Sequence, residues 1–143
     1  QGRKKAKLQL AKLHIKTANQ RRDYFHKLSN QLANNYDNIF IEDLNMKAMQ
    51  MMWGRKISDL AFSEFINILE YKAKVTKIDR FFPSSKTCSN CGTVKKDLDL
   101  KTRVFKCDTC YFEIDRDLNA SINIKRVGAS TLAGEVVRAT SVA

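Results

Sequence analysis

All four cysteines of the chain fall in two CxxC pairs, Cys88-Ser89-Asn90-Cys91 and Cys107-Asp108-Thr109-Cys110, with 15 residues between them. A CxxC turn aims two sulfurs at one point, and two such turns supply four thiolates for a tetrahedral ion. The spacing predicts a zinc ribbon over residues 84–113, with Cys88, Cys91, Cys107 and Cys110 as ligands. Two disulfides or four unrelated thiols are the alternative reading of the same residues. Zinc held by four thiolates has no open position for water, so the expected metal is structural. Cysteines in this spacing and nowhere else suit a reducing compartment.

The ribbon divides two acidic segments. Ile39-Phe40-Ile41-Glu42-Asp43-Leu44 lies before it, and Asp115-Arg116-Asp117-Leu118-Asn119-Ala120 follows it directly. A chain of 143 residues, 43% hydrophobic, is long enough for about one domain with a core. The net charge of +11 predicts a polyanionic partner, nucleic acid before an anionic membrane surface. The sequence contains neither an apolar run of membrane-spanning length nor a secretory signal pattern, so a cytoplasmic location is expected. The chain opens at Gln1, inside a lysine-rich run, and is expected to be a piece of something longer.

From Arg3 to Leu32, the residues Leu8, Ala11, Ile15, Ala18, Phe25, Leu28 and Leu32 recur at helical spacing. This predicts one long amphipathic helix. Between Arg3 and Lys27 it carries nine Lys or Arg and a single acid, Asp23. Such imbalance suits a helix lying along a phosphate backbone, against the plainer reading of a solvated face. His14 and His26 have no partner at ligand spacing and read as ordinary helix residues.

Asn34 to Asn38 is a turn cluster, and Ile39-Phe40-Ile41 reads as a strand covered on both faces. The methionine-rich stretch Asn45 to Ile57 reads as a mobile connection or short helix. Ser58-Asp59 is a candidate cap for a helix burying Ala61, Phe62, Phe65, Ile66 and Leu69. Lys74 to Asp79 reads as a second strand, and Phe81 to Thr87 as the exit into the ribbon. Asp115 to Arg126 is expected to be helical, with Leu118, Ile122 and Ile124 or Val127 on its apolar side. Residues 128–143, rich in small side chains, read as a flexible or weakly helical tail.

Hard divalent cations take carboxylate oxygens, and a two-metal phosphodiester site gathers several from different elements. Glu42 and Asp117, each at an element boundary, are candidates. Spacing leaves alternatives open. On one strand Glu42 and Asp43 face opposite ways, so one of them enters a site. Of Asp115 and Asp117, either is a ligand candidate, and Asp115 is also a candidate helix cap.

The segments Ile41-Glu42-Asp43-Leu44-Asn45, Asp79-Arg80-Phe81-Phe82-Pro83-Ser84-Ser85-Lys86-Thr87-Cys88, the four cysteines, and Asp117-Leu118-Asn119-Ala120 before Asn123-Ile124 together resemble the TnpB family. These are insertion-sequence proteins related to the type V CRISPR effectors. The resemblance covers about residues 39–124 and implies an RNA-guided DNA endonuclease. It implies an α/β fold of partial RNase H-like (RuvC) type, with a long basic helix first and an inserted zinc ribbon. Residues 1–83 and 114–127 would form the RuvC-like part. By the same resemblance Glu42 matches the second catalytic acid and Asp117 the third, holding Mg²⁺ or Mn²⁺. Zinc would sit on Cys88, Cys91, Cys107 and Cys110. The family's first catalytic aspartate precedes the basic helix and lies outside this sequence, so the chain alone is expected to cut DNA weakly or not at all. Its implied partners are DNA, a guide RNA and the N-terminal part of the nuclease. A non-cleaving nucleic-acid-binding module is the second reading. A protein-binding zinc ribbon of transcription type is the third, and it leaves Glu42 and Asp117 without a role. Zinc removal is expected to unfold residues 84–113 ahead of the helices.

Overall fold

A computed structural model describes residues 2–54, 60–99 and 101–134, with the side chain of Trp53 left out. In chain order the elements are α1 (Gly2–Asn35), β1 (Ile39–Glu42), α2 (Met46–Trp53), α3 (Phe62–Lys72), β2 (Val75–Ile78), β3 (Val104–Lys106), β4 (Glu113–Asp115) and α4 (Arg116–Leu132). Two compact units emerge. One comprises residues 1–38 and 46–75, the other 39–45 and 76–143.

In the first unit α1 packs on α3. At 34 residues and 1.5 Å per residue, α1 is about 51 Å long. The predicted stripe along it is only half used. Leu8, Ala11, Ile15 and Ala18 are exposed, whereas Phe25, Leu28 and Leu32 are half-buried. Phe25 meets Phe65 of α3 with ring centroids 5.4 Å apart, and the small, fully buried Ser29 lies in the same stretch of α1. Arg22 Nε donates to Glu64 Oε1 at 2.7 Å, and Lys72 Nζ donates to the backbone oxygen of His26 at 3.0 Å. Most of the expected face of α3 is turned inward: Leu69 is buried and Ala61, Phe65 and Ile66 are half-buried, with Ile68 buried beside them and Phe62 exposed. The expected cap at Ser58-Asp59 lies outside the described residues. Ala61 occupies the N-cap position with left-handed backbone and no side-chain cap. The methionine-rich stretch forms α2, from which Met51 and Met52 point into solvent.

In the second unit β1 pairs with β2, and Asp43 N–H continues the contact to the backbone oxygen of Ile78 at 3.1 Å. β3 pairs antiparallel with β4, in the register Val104 to Asp115, Phe105 to Ile114 and Lys106 to Glu113. Phe105, Cys88 and Cys107 are buried together, with Leu98, Cys110, Phe112 and Ile114 packed around them. The hairpin runs on to Asp115, which also caps α4 by accepting from the backbone N–H groups of Asp117 and Leu118 at 2.9 and 3.0 Å. α4 packs on β1. Gly128 permits the approach, since a Cβ there would lie 2.1 Å from Phe40 Cδ1. The final helix runs past the expected end at Arg126 and reaches Leu132. Its inward side joins the expected apolar residues Ile122, Ile124 and Val127, all half-buried, to residues that patterning did not offer. Asn119, Asn123 and Gly128 are buried, whereas Leu118 is exposed.

Candidate metal centre and carboxylate groove

Each cysteine pair closes a tight turn. Cys88 N–H donates to Thr93 O at 2.8 Å and Gly92 N–H to Cys88 O at 2.9 Å. In the second pair, Cys107 N–H donates to Phe112 O at 3.0 Å. The residue after each second cysteine has left-handed backbone, φ 79° at Gly92 and 58° at Tyr111. Glycine adopts that conformation freely, and Tyr111 does so against its Cβ. Lys95 Nζ braces the two turns, donating to Lys106 O at 3.1 Å and Asp108 Oδ1 at 2.9 Å.

These turns bring the four sulfurs within 4.8 Å of one another. Cys88 and Cys110 sulfurs are 3.7 Å apart, and Cys91 and Cys107 sulfurs 3.6 Å. A tetrahedron with zinc–sulfur bonds of about 2.3 Å has edges of about 3.8 Å. The four residues therefore fit a zinc ion in donor type, number and spacing. Among the described residues this is the one cluster of three or more such side chains. Burial pushes the Cys88 thiol above its ordinary pKa. The hydrogen bond with Thr93 draws Cys91 down to about 6, and a backbone N–H at Phe112 lowers Cys110. Asn90 Nδ2 and Thr109 N–H also donate to Cys110 and Cys107 sulfurs, at 3.6 and 3.4 Å.

The carboxylates lie elsewhere in the second unit. Glu42, at the end of β1, and Asp117, in the first turn of α4, line one groove of about 350 Å³ with Ser84, Ser85, Arg116 and Ser121. Ser84 Oγ donates to Glu42 Oε1. Asp117 is 76% exposed, and Arg116 Nε stands 3.4 Å from its Oδ1. Asp43 and Asp115 are engaged otherwise. Asp43 pairs with Arg80, and Asp115 caps α4.

Sequence reasoning missed Asn119 and Asn123. Both are buried, at 0% and 2% exposure, and both reach into the ribbon. Ser89 N–H donates to Asn119 Oδ1 at 2.9 Å, and Asn119 Nδ2 donates to Thr87 O at 2.7 Å. Asn123 Nδ2 donates to Thr87 O at 2.6 Å and to Ser84 O at 2.9 Å. Arg126 Nη2 adds a bond to Ser89 O at 2.7 Å. The available signal was two asparagines four apart, on one face of a helix they do not favour.

Two family models cover most of the chain. One, described as "Probable transposase" (OrfB_IS605), matches residues 1–52, and the other, "Cas12f1-like, TNB domain", matches residues 62–124. The chain is similar to TnpB-like proteins along most of its length. A Streptomyces pristinaespiralis protein, provisionally named an RNA-guided DNA endonuclease, is 40% identical over 95% of this chain and 36% of its own length. TnpB-like protein L79 of Acanthamoeba polyphaga mimivirus is 33% identical over 88% of this chain and 26% of its own. The chain thus spans about a third of the length of these TnpB-like relatives. A solved structure, a Cas12f1–sgRNA–target DNA complex, superposes with a TM-score of 0.61 at 23% identity, over 80% of this chain and 36% of that one. The mixed helix-and-strand fold resembles that part of Cas12f1.

Proposed function

We propose that the chain is the C-terminal nuclease portion of an RNA-guided DNA endonuclease of the TnpB type, with a RuvC-like, RNase H-type fold. The observation that carries this reading is the groove that Glu42 and Asp117 line from two different elements. Carboxylate oxygens are the donors that Mg²⁺ and Mn²⁺ prefer, so these two side chains suit such a cation. Paired cations of this kind activate water and stabilise the leaving oxygen of a phosphodiester. Ser84 orients Glu42 through its hydroxyl. The helix start, capped by Asp115, fixes the backbone that carries Asp117.

Four thiolates fill a zinc ion's coordination, so zinc at Cys88, Cys91, Cys107 and Cys110 is structural. DNA and a guide RNA are the proposed partners. The name of the Streptomyces relative and the contents of the Cas12f1 complex support them, as does the net charge of +11. Among the described residues no helix is long and apolar enough to cross a membrane. Action in the cytoplasm is part of the proposal.

The groove draws two named carboxylates from this chain, and a two-metal site gathers several. The chain alone is therefore expected not to cut. The test is Mg²⁺- or Mn²⁺-dependent cleavage of single-stranded DNA. Trace or no cutting is expected. Robust cutting abolished by Glu42→Ala would mean that these residues already make a complete site. The exposed, basic α1 favours a second reading, a module that holds nucleic acid without cutting. DNA or RNA binding that Glu42→Ala and Asp117→Ala leave unchanged, in a parent protein without nuclease activity, would favour it.

A further inference from the structure

Thr87 and Ser89 flank the first zinc-ligand candidate, Cys88, and α4 holds both of them. Thr87 O receives the side-chain amides of Asn119 and Asn123, and Ser89 N–H donates to Asn119. Ser84 lies one tight turn away. That turn is closed by Thr87 N–H and Thr87 Oγ1, donating to Pro83 O at 2.9 and 2.8 Å. Ser84 then faces two ways. Its backbone oxygen accepts from Asn123, and its hydroxyl donates to Glu42. On α4, Asp117 lies two residues before Asn119. Hydrogen bonds thus run from the residues beside Cys88 to Glu42, and two residues of helix backbone link Asn119 to Asp117. Ser84, Thr87, Ser89, Asn119 and Asn123 are all buried, so water is a poor substitute for any of these partners.

We propose that Ser84, Asn119 and Asn123 are positioning residues that couple the four-sulfur cluster to the carboxylate groove, so that emptying the sulfur site weakens divalent-cation binding at Glu42 and Asp117. This rests on the reading of the groove as a cation site. Without a metal, the 88–91 turn is held to the 107–110 turn at the sulfurs by weak contacts such as that from Asn90 Nδ2 to Cys110 Sγ at 3.6 Å. Once the first turn opens, Asn119 and Asn123 lose their acceptors and their donor. The Ser84 hydroxyl and the first turn of α4 then lose their common reference. Coupling of this kind is reciprocal: a cation in the groove must tighten zinc retention by the factor that zinc tightens the cation.

The test uses the full chain and two readouts. The first is backbone amide exchange, followed peptide by peptide, with and without zinc. Zinc removal is expected to speed exchange over residues 87–113 and also over the first two turns of α4. Acceleration confined to residues 87–113 would overturn the tie. The second is Mn²⁺ binding followed by electron paramagnetic resonance. Ser84→Ala is expected to weaken Mn²⁺ about tenfold, the usual scale for a residue that orients a metal ligand, while zinc content stays as in the wild type. Ser84→Thr, which keeps the hydroxyl, is expected to restore affinity. Zinc-free protein is expected to bind Mn²⁺ at least as weakly as Ser84→Ala, and saturating Mn²⁺ to slow zinc loss to a chelator. Mn²⁺ binding that responds to Glu42→Gln yet is unchanged by Ser84→Ala and by zinc removal would overturn the coupling. Binding that Glu42→Gln leaves unchanged would overturn the groove reading itself, and with it the cation half of the proposal. The exchange readout stands apart from that result.

Discussion

The side-chain nitrogen of Asn123 donates to the backbone oxygen of Thr87 at 2.6 Å, from a position only 2% exposed. Asparagine is usually a surface residue, and one buried in a helix is there for its hydrogen bonds. Asn123→Ala strips Ser84 O of its amide donor, and Asn119→Ala leaves Ser89 N–H without its acceptor. Each is expected to cost about 1–3 kcal/mol in chemical denaturation of the zinc-loaded chain. The double variant should cost less than the sum, because both amides converge on Thr87 O.

Gly128 sits inside α4 with Phe40 against it. On an open helix face, replacing glycine by alanine would stabilise by about 1 kcal/mol. Here the new Cβ would meet the ring at Cδ1, Cγ and Cε1, at 2.1, 2.5 and 2.8 Å. Gly128→Ala is therefore expected to destabilise, by about 1–3 kcal/mol as an overpacked site does. Phe40→Leu in the same chain should recover part of that loss. A stabilised Gly128→Ala variant would contradict the packing of α4 on β1.

Asp115 and Asp117 separate by experiment. Asp115 accepts from two backbone N–H groups at the start of α4, whereas Asp117 is largely solvent-facing. Asp115→Ala should cost about 0.5–2 kcal/mol of stability, the range for a lost cap. Asp117→Asn should leave the unfolding midpoint nearly unchanged and abolish the response to Mn²⁺ or Mg²⁺. The reverse pattern would exchange their roles.

Zinc removal should not spare the helices equally. Structural zinc binds small domains with about 10–16 kcal/mol, comparable to or more than the whole folding stability of such a domain. The expectation that the ribbon unfolds ahead of all helices changes once Asn119, Asn123 and Arg126 are seen bonded to Ser84, Thr87 and Ser89. α4 should lose protection with the ribbon, whereas α1 and α3, packed together in the other unit, should keep theirs. Far-UV circular dichroism on chelation should therefore show a partial loss of helix, on the scale of the 17 residues of α4 against the 34 of α1. Loss of the entire helical signal would contradict the division.

Much of this was legible from residue types with strong local rules. The two CxxC pairs located the sulfur cluster, because cysteine spacing limits where thiolates can converge. The basic helix, both strands before the ribbon and the helix after it followed from periodicity and turn residues. Periodicity failed where burial depends on partners. Leu8, Ala11, Ile15 and Ala18 have helical spacing, yet among the described residues they remain exposed. The fully buried residues of α4 were missed for the opposite reason. They are two asparagines and a glycine, which hydrophobic patterning scores as solvent-facing. Nor does spacing separate Glu42 from Asp43. The structure gives them different surroundings, Ser84 and the groove for one and Arg80 for the other.

Anomalous X-ray scattering from crystals of the chain grown with zinc and Mn²⁺, recorded at both absorption edges, tests the account most directly. A zinc peak among the sulfurs of Cys88, Cys91, Cys107 and Cys110 is expected, with a separate manganese peak in contact with Glu42 and Asp117. Manganese found only away from that groove, with the two carboxylates sharing no ion, would contradict it.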